Sequence, residues 1–497
     1  MVSFMSFLIA LLAGAASVLA YAPFEQFWLM PLSWGVLYHF LRQPALRPGK
    51  AFLFGWIWGL GALFAGLCWL VVALNRFGGL SAPLAVVLIL LACAALALYP
   101  ALFACVFARL RPAHWAGRVL MVAACWTLSE FLRGQVLPAF PWLAIGYTQT
   151  PPSPLAGWAA VSGVYGLSFL LAATTALLVE AWREPALRRQ ALIWAMMPWL
   201  AGAGLRLIEW SVPAGAPVTV SLIQTNVPQD QKWLPETLMA QLQLNAELLT
   251  RHPAQIMVLP ESSLPLFVDQ LPTGYLEYVE QQARAAGGDA ILGVFTSDSS
   301  GGVYNSAITR GQSTPQQYSK NHLVPFGEYQ PWGFGWFFKL AKIPMANQTP
   351  GGDRQPLLEL AGQKIAMNIC YEDVFGEELR HALPEATLML NVSNLAWYGD
   401  SHAQPQHLQI SRMRALESAR PQLRSTNTGM TAIVQPDATV SHVLPAFTQG
   451  AMHADVRGYQ GTTPFVLLGD WPLKLVVLVI IGWCIRSEVG KSRHPKH

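Results

Sequence analysis

Charged side chains are scarce in this sequence. Lys, Arg, Asp and Glu make up 12% of its 497 residues, whereas hydrophobic residues make up 53%. Because a water-exposed surface needs about twice that charge, the composition excludes an ordinary soluble protein. The shortage is uneven, since residues 1–210 and 465–485 carry little charge and residues 215–460 have the composition of a soluble domain. The sequence therefore predicts a membrane protein with one globular insertion.

Sequence signatures of several kinds of ligand-binding site are also missing. The sequence contains no glycine-rich phosphate loop and no dinucleotide-binding fingerprint. His402 and His407 are five residues apart on a polar stretch without a cysteine or a carboxylate pair nearby, which does not match a metal site. The net charge of +4 comes with basic residues in short loops between apolar runs, an arrangement that indicates membrane orientation rather than nucleic-acid binding. We predict no metal, no cofactor and no nucleic-acid partner.

Cysteine is rare outside the apolar runs. Five of the six cysteines lie inside those runs, where a small hydrophobic side chain needs no further explanation: Cys68, Cys93, Cys105, Cys125 and Cys484. Cys370 is the only cysteine of the globular insertion, so it cannot form a disulfide within that domain. A lone thiol in an oxidising compartment is a liability unless it has a function. Cys370 is therefore a candidate nucleophile.

Eight apolar runs are long enough to cross a hydrocarbon core of about 30 Å. They lie near residues 3–20, 25–41, 51–74, 83–108, 115–132, 156–181, 190–208 and 466–485. An alternative interpretation of the first run is a signal peptide, because Ala20-Tyr21-Ala22 has the form of a cleavage site. Residues 1–5 carry no positive charge, however, and this favours a retained helix.

The loops between these runs predict the orientation. Thirteen basic residues lie in one set of loops and in the C-terminal tail, whereas the short loops of the other set contain only Arg76 and Arg133. The positive-inside rule then makes both chain ends cytoplasmic and the insertion extracytoplasmic. We expect seven transmembrane helices within residues 1–210, a catalytic domain over 211–464, an eighth helix at 465–486 and a cytoplasmic tail at 487–497.

The insertion alternates between short β-branched segments and polar helical segments. Strands are predicted at residues 218–227, 254–261, 289–296, 364–372, 386–394 and 431–438, with a short one at 316–319. Helical spacing occurs at 235–252, 276–287 and 403–420. This alternation predicts an α/β layered domain in which helices cover a sheet.

Two further features each have two interpretations. Glu130 and Arg133 lie at the edge of an apolar run, where an ionisable pair is either functional or caps the helix end. Residues 329–346 are rich in aromatic side chains, among them Trp332, Phe334 and Trp336. That segment is either a lid packed on its own domain or a segment that dips into the lipid interface.

Three reactive side chains follow strand candidates of the insertion. Glu261 ends residues 254–261, Lys320 follows the short strand at 316–319, and Cys370 lies near the end of 364–372. A carboxylate can take the thiol proton, the thiolate can attack a carbonyl carbon, and an ammonium can stabilise the resulting oxyanion. The residues alone leave open an ion pair beside a buried thiol.

The order of these motifs resembles a known superfamily. Pro260-Glu261, Lys320 before His322-Leu323-Val324-Pro325-Phe326-Gly327-Glu328, and Cys370-Tyr371-Glu372 resemble the nitrilase superfamily, whose hallmark is a Glu-Lys-Cys triad in that order. Within it, residues 129–149 and 21–34 resemble the membrane half of the apolipoprotein N-acyltransferase family. The resemblance covers essentially the whole chain and implies an eight-helix membrane bundle carrying an α-β-β-α sandwich domain.

The resemblance also implies a role for each matched residue. Glu261 is expected to be the general base, Lys320 the oxyanion stabiliser and Cys370 the acylated nucleophile. Glu328, Tyr371 and Glu372 are expected to support them, and Trp233 matches a tryptophan that lines the substrate site. His322 is interpreted as structural support.

The implied activity is transfer of a fatty acyl chain from a phospholipid, with phosphatidylethanolamine expected, to the α-amine of a diacylglyceryl apolipoprotein. The expected location is the bacterial inner membrane, with a monomeric enzyme whose catalytic domain faces the periplasm. Two alternatives stay open. One is a membrane-anchored amidase acting on a small amide, and the other is a non-catalytic scaffold for lipoprotein binding or transport.

Overall fold

The computed structural model describes residues 3–136, 139–335 and 347–493, with side chains described up to residue 487. The chain divides into two compact units. The first comprises Met1–Cys68, Pro83–Ile208 and Leu468–His497, and the second comprises Trp69–Ala82 and Glu209–Leu467. Residues 69–82, which the sequence analysis included in the membrane domain, therefore group with the second unit. The other predicted domain limits stay predictions.

The first unit is helical. Its main helices span Phe4–Ala16, Leu29–Leu41, Pro48–Leu67, Ala82–Leu96, Leu98–Leu110, Trp115–Gln135, Ala159–Arg183, Arg188–Leu205 and Trp471–Arg493. Among the described residues, Pro48–Leu67, Ala82–Leu110 and Pro154–Arg183 are long and apolar enough to cross a membrane, and Phe4–Ala20 and Leu29–Leu41 are shorter apolar helices. The helical region is thus confirmed, while the count of eight spans stays a prediction.

Small residues bring the first helices of this unit into contact. A Cβ atom added to Gly14 would lie 2.1 Å from the carbonyl oxygen of Trp58, and one added to Gly61 would lie 2.4 Å from that of Leu11. Only glycine permits such an approach between two backbones. Close packing through glycine is a usual way for helices to associate in lipid, where burial of apolar surface contributes little.

Glu130 and Arg133 hold the irregular segment that follows helix Trp115–Gln135. The Glu130 Oε1 atom accepts hydrogen bonds from the backbone N–H of Ile145 at 2.9 Å and from the indole N–H of Trp126 at 3.1 Å. The Arg133 guanidinium donates to the carbonyl oxygen of Trp142. Both side chains therefore make hydrogen bonds to the segment after the helix, and the two interpretations of the pair stay open.

The second unit contains two six-stranded sheets. The strands are β1 Ser211–Gln224, β2 Ile256–Val258, β3 Asp289–Ser297, β4 Val303–Gly311, β5 Gln317–Ser319, β6 Leu358–Leu360, β7 Gln363–Ile369, β8 Leu388–Ser393, β9 Gln422–Thr426, β10 Ala432–Val434, β11 Val440–Val443 and β12 Gly450–Gly461. The strand orders are β12-β1-β2-β3-β4-β5 and β11-β10-β9-β8-β7-β6. Strands β1–β3 run parallel in one sheet, and β7–β9 run parallel in the other.

The two sheets pack face to face. One hydrophobic cluster combines Leu222 and Val258 of the first sheet with Ile365 and Leu390 of the second. Helices Pro235–Arg251 and Tyr275–Ala285 cover the outer face of the first sheet, and Ala403–Ser418 packs against β9 and β10 of the second. The α-β-β-α sandwich is therefore confirmed.

Residues 69–82 pack on the loop that follows β8. The Trp69 indole N–H donates to the Gln406 Oε1 atom at 3.2 Å, and its ring meets that of Tyr398 edge-on, with centroids 4.6 Å apart. Phe77 meets Trp397 in the same manner at 5.5 Å. Asn394 directly precedes this loop. These contacts therefore help to fix the backbone of Asn394.

Candidate active site

Cys370 lies at a strained turn where a parallel strand ends. Strand β7 stops at Ile369, and a 3₁₀ turn runs over Cys370–Val374. The φ angle of Cys370 is +54°, in a region that residues other than glycine rarely occupy. The Asn391 side-chain amide donates to the carbonyl oxygen of Cys370 at 3.1 Å and helps to hold this turn. Strain of this kind concentrates at functional sites.

Glu261, Lys320 and Glu328 form a buried ion cluster. The Lys320 ammonium donates to the Glu328 Oε1 atom at 2.6 Å and to the Glu261 Oε1 atom at 3.4 Å. Glu261 also accepts a hydrogen bond at Oε1 from the Asn305 side-chain amide at 2.8 Å. Its Oε2 atom accepts one from the backbone N–H of Asn394 at 2.7 Å. Both carboxylate oxygens of Glu261 are therefore fixed.

The electrostatics of the cluster keep the resting thiol protonated. Burial raises the pKa of the Cys370 thiol, the Glu261 carboxylate raises it further, and the Lys320 ammonium acts in the opposite direction. Burial by itself would lower the pKa of Lys320, but Glu328 and Glu261 outweigh that effect and hold it well above the ordinary value. Ionisation of Cys370 thus needs a base, while Lys320 supplies a permanent positive charge.

Glu372 joins the lysine loop to the cysteine turn. Its Oε1 atom accepts hydrogen bonds from the backbone N–H groups of Asn321 at 2.7 Å and His322 at 3.1 Å. Its Oε2 atom accepts one from the backbone N–H of Ile369 at 2.6 Å, and the Tyr318 hydroxyl lies 3.0 Å from both oxygens. Burial raises the pKa of Glu372 to about 7, although these donors oppose the rise. One carboxylate thus fixes the backbone beside both Lys320 and Cys370.

The remaining predicted residues lie in the same unit. Tyr371 is buried, and its ring packs edge-on against Phe375 at 5.2 Å between centroids. The His322 ring stacks on Phe375 at 3.5 Å, and its Nδ1 atom lies 2.8 Å from the Glu378 Oε1 atom, which agrees with a supporting role. The Trp233 ring lies 5.8 Å from the Phe295 ring, and among the described residues its buried indole N–H has no acceptor. The expected substrate-lining role of Trp233 stays a prediction.

Two asparagines of the site were not predicted from the sequence. Asn305 on β4 and Asn394 after β8 donate the hydrogen bonds that fix the Glu261 carboxylate. Asn394 did end a predicted strand, but its contribution comes from a backbone N–H, which any residue other than proline carries. No local sequence signal identifies such a donor.

The aromatic segment 329–346 is described only in part. Trp332 is 97% exposed, and the Phe334 ring packs edge-on against Phe326 at 4.9 Å between centroids. Trp336, Phe337, Phe338 and Leu340 lie outside the described residues. The two interpretations of this segment stay open.

Two parts of the sequence match known family models. The family model described as carbon-nitrogen hydrolase matches residues 219–463, and the one described as the apolipoprotein N-acyltransferase N-terminal domain matches residues 13–177. The second unit is therefore a carbon-nitrogen hydrolase domain of the nitrilase superfamily. A protein named apolipoprotein N-acyltransferase from Nitrosomonas europaea is 45% identical over 486 residues, covering 97% of each chain. One from Chromobacterium violaceum is 41% identical, covering 97% of this chain and 95% of its own. The chain belongs to the apolipoprotein N-acyltransferase family.

Solved structures also show similarity to part of this chain. An amidase from Nesterenkonia sp. is 20% identical with a TM-score of 0.36, covering 50% of this chain and 92% of its own. The C. elegans NitFhit protein is 18% identical with a TM-score of 0.39, covering 49% of this chain and 61% of its own.

Proposed function

We propose that this protein transfers a fatty acyl chain from a membrane phospholipid to the α-amine of the S-diacylglyceryl cysteine of apolipoproteins. Membership of the apolipoprotein N-acyltransferase family supports the activity. The observation that carries the mechanism is the Lys320 ammonium held between the carboxylates of Glu261 and Glu328, whose charges act on the Cys370 thiol. Base, oxyanion stabiliser and nucleophile are then Glu261, Lys320 and Cys370.

The first half-reaction forms an acyl-enzyme. Glu261 takes the thiol proton, and the sulfur of Cys370 attacks the ester carbonyl carbon of the phospholipid. Lys320 stabilises the negative oxygen of the tetrahedral intermediate. The C–O bond then breaks, Glu261 returns its proton to the leaving alkoxide, and a lysophospholipid departs. A thioester remains on Cys370.

The second half-reaction transfers the acyl chain. The neutral α-amine of the apolipoprotein attacks the thioester carbonyl carbon, and Glu261 takes a proton from the nitrogen. The C–S bond breaks, the proton passes to the sulfur, and the amide product leaves. Water must be kept from the thioester, because hydrolysis would turn the enzyme into a lipase.

Several details of this proposal come from the family resemblance and from the charges of the loops. The donor is phosphatidylethanolamine, the enzyme is a monomer, and both chain ends lie in the cytoplasm with the catalytic domain in the periplasm. The distribution of basic residues among the loops supports the orientation. The small-amide enzyme and the scaffold are less favoured, because the family match also covers the helical half.

Incubation with phosphatidylethanolamine in detergent is expected to add the mass of one acyl chain to the intact protein. Hydroxylamine should remove the added mass, because it cleaves thioesters. The Cys370→Ala variant should show no adduct, while Cys105→Ala should behave as the wild type. No adduct and no released fatty acid from the wild type would contradict phospholipid as the donor.

A further inference from the structure

A second buried lysine lies beside the ion cluster and has no part in the mechanism above. Lys232 is 2% exposed, and its ammonium donates a hydrogen bond to the carbonyl oxygen of Glu261 at 3.1 Å. It precedes Trp233 in the loop between β1 and helix Pro235–Arg251. The Gln241 side-chain amide donates to the carbonyl oxygen of Lys232 at 3.2 Å and fixes the backbone at this position.

The ammonium of Lys232 has more N–H groups than acceptors among the described residues. An ammonium carries three N–H groups, and among the described residues Glu261 O is its single acceptor. Lys320, by contrast, already engages two carboxylates. A buried cation with unused donors is costly unless negative charge lies nearby. The site contains such charge. When Glu261 and Glu328 are both ionised, their two negative charges exceed the single positive charge of Lys320 by one.

Lys232 interacts with the two groups that exchange the proton. Burial lowers its pKa to about 8, while Glu261 and Cys370 raise it. Glu261, after β2, is in contact with Lys232 through its carbonyl oxygen, and the charge of Cys370, after β7, acts on Lys232 as well. The interaction is mutual, so a charged Lys232 favours the ionised form of Cys370. When the proton moves from sulfur to Glu261, the total charge stays constant and the negative charge moves to the sulfur.

We infer that Lys232 is a positioning residue of the acyl-transfer site, which fixes the Glu261 main chain and stabilises the Cys370 thiolate through its positive charge. The inference deepens the proposed function and rests on Cys370 as its nucleophile. Lys320 already pairs with two carboxylates. Lys232 therefore supplies positive charge to the site in addition to that of Lys320.

Alkylation of Cys370 by iodoacetamide tests the inference without any lipid donor. The full-length protein in detergent is treated at pH 7.5, and the modified peptide is quantified by mass spectrometry. We expect Lys232→Met to slow alkylation about tenfold or more, because the thiolate that reacts with iodoacetamide loses a positive charge that favours its ionised form. Lys232→Arg should stay within about threefold of the wild type. Lys364→Met, at a half-exposed lysine near Glu385, is the matched control.

The pH profile separates the charge of Lys232 from a purely structural role. Since Lys232 loses its proton as the pH rises through about 8, acyl-enzyme formation by the wild type should decline above that pH. Arginine stays charged to a pH above about 12, so Lys232→Arg should move this decline upward by at least one unit. The same phosphatidylethanolamine is used with both proteins, so the ionisation of its amine cancels in the comparison.

Two outcomes would overturn the inference. One is alkylation of folded Lys232→Met within twofold of the wild type, with folding checked by thermal unfolding. The other is an unchanged alkaline decline in Lys232→Arg. A wild type that is alkylated normally but never acylated would contradict the proposed donor instead, and the alkylation comparison would still test Lys232.

Discussion

Replacing Lys320 with methionine is expected to slow acyl-enzyme formation at neutral pH by about 10²–10³-fold, the size of effect seen when a key oxyanion donor is lost. The ammonium lies 2.6 Å from Glu328 and 3.4 Å from Glu261 in a fully buried position. Without it, the oxyanion loses its cation and two buried carboxylates face each other. One of them then takes a proton, and Glu261 becomes a poorer base.

Single-turnover acylation followed by intact-protein mass spectrometry measures this effect. The free energy of unfolding should also fall by about 3–5 kcal/mol, because one partner of a buried ion cluster is missing. The double variant Lys320→Met/Glu328→Gln removes one carboxylate charge as well, so it should regain stability without regaining acylation. Lys364→Met is the exposed control. Acylation within tenfold of the wild type would contradict the assignment of Lys320 as oxyanion stabiliser.

Replacing Glu372 with glutamine is expected to slow acyl-enzyme formation about 10²-fold. The two carboxylate oxygens of Glu372 accept from the backbone N–H groups of Asn321, His322 and Ile369 and from the Tyr318 hydroxyl. An amide has only one oxygen, so its NH₂ group must face at least one of these donors. The unpaired groups cost about 1–3 kcal/mol each, and the backbone beside Lys320 and Cys370 must shift.

Two matched variants separate this effect from a general loss of stability. Glu378→Gln changes a partly exposed carboxylate that contacts the same loop through His322, and it should keep acylation within about threefold of the wild type. Tyr318→Phe removes one donor but leaves the carboxylate in place, so its effect should be smaller than that of Glu372→Gln. Equal acylation rates for Glu372→Gln and the wild type would mean that the carboxylate does not position the site.

Most regular elements of the catalytic domain were predictable from local pattern. The predicted strand at 289–296 is β3, and the helix predicted at 235–252 spans Pro235–Arg251. Strands β4, β6, β9, β11 and β12 were not predicted. Strands β4 and β12 each mix polar residues and glycine with few branched apolar ones. Strand β12 is stabilised by antiparallel pairing with β1, from Ser211–Gly461 to Gln224–Gly450, and such distant pairing has no local signal.

The candidate catalytic residues were also predictable from the sequence, whereas the groups that hold them in place were not. Residue type, position after strand candidates and superfamily motif order together predicted Glu261, Lys320 and Cys370. The donors that fix Glu261 are a side chain on β4, a backbone N–H after β8 and the ammonium of Lys232. These groups are 44, 133 and 29 residues away along the chain.

The sequence by itself determined the class of this protein: a helical membrane region, an α/β insertion and a lone thiol within it. Such properties follow from composition, from periodicity and from motif order, all of which are local. Only the tertiary structure decided which charges meet in the buried site, that residues 69–82 pack on the loop after Asn394, and that Lys232 contacts Glu261. Burial and electrostatic interaction depend on distances in space, and those distances exist only once the two sheets have packed together.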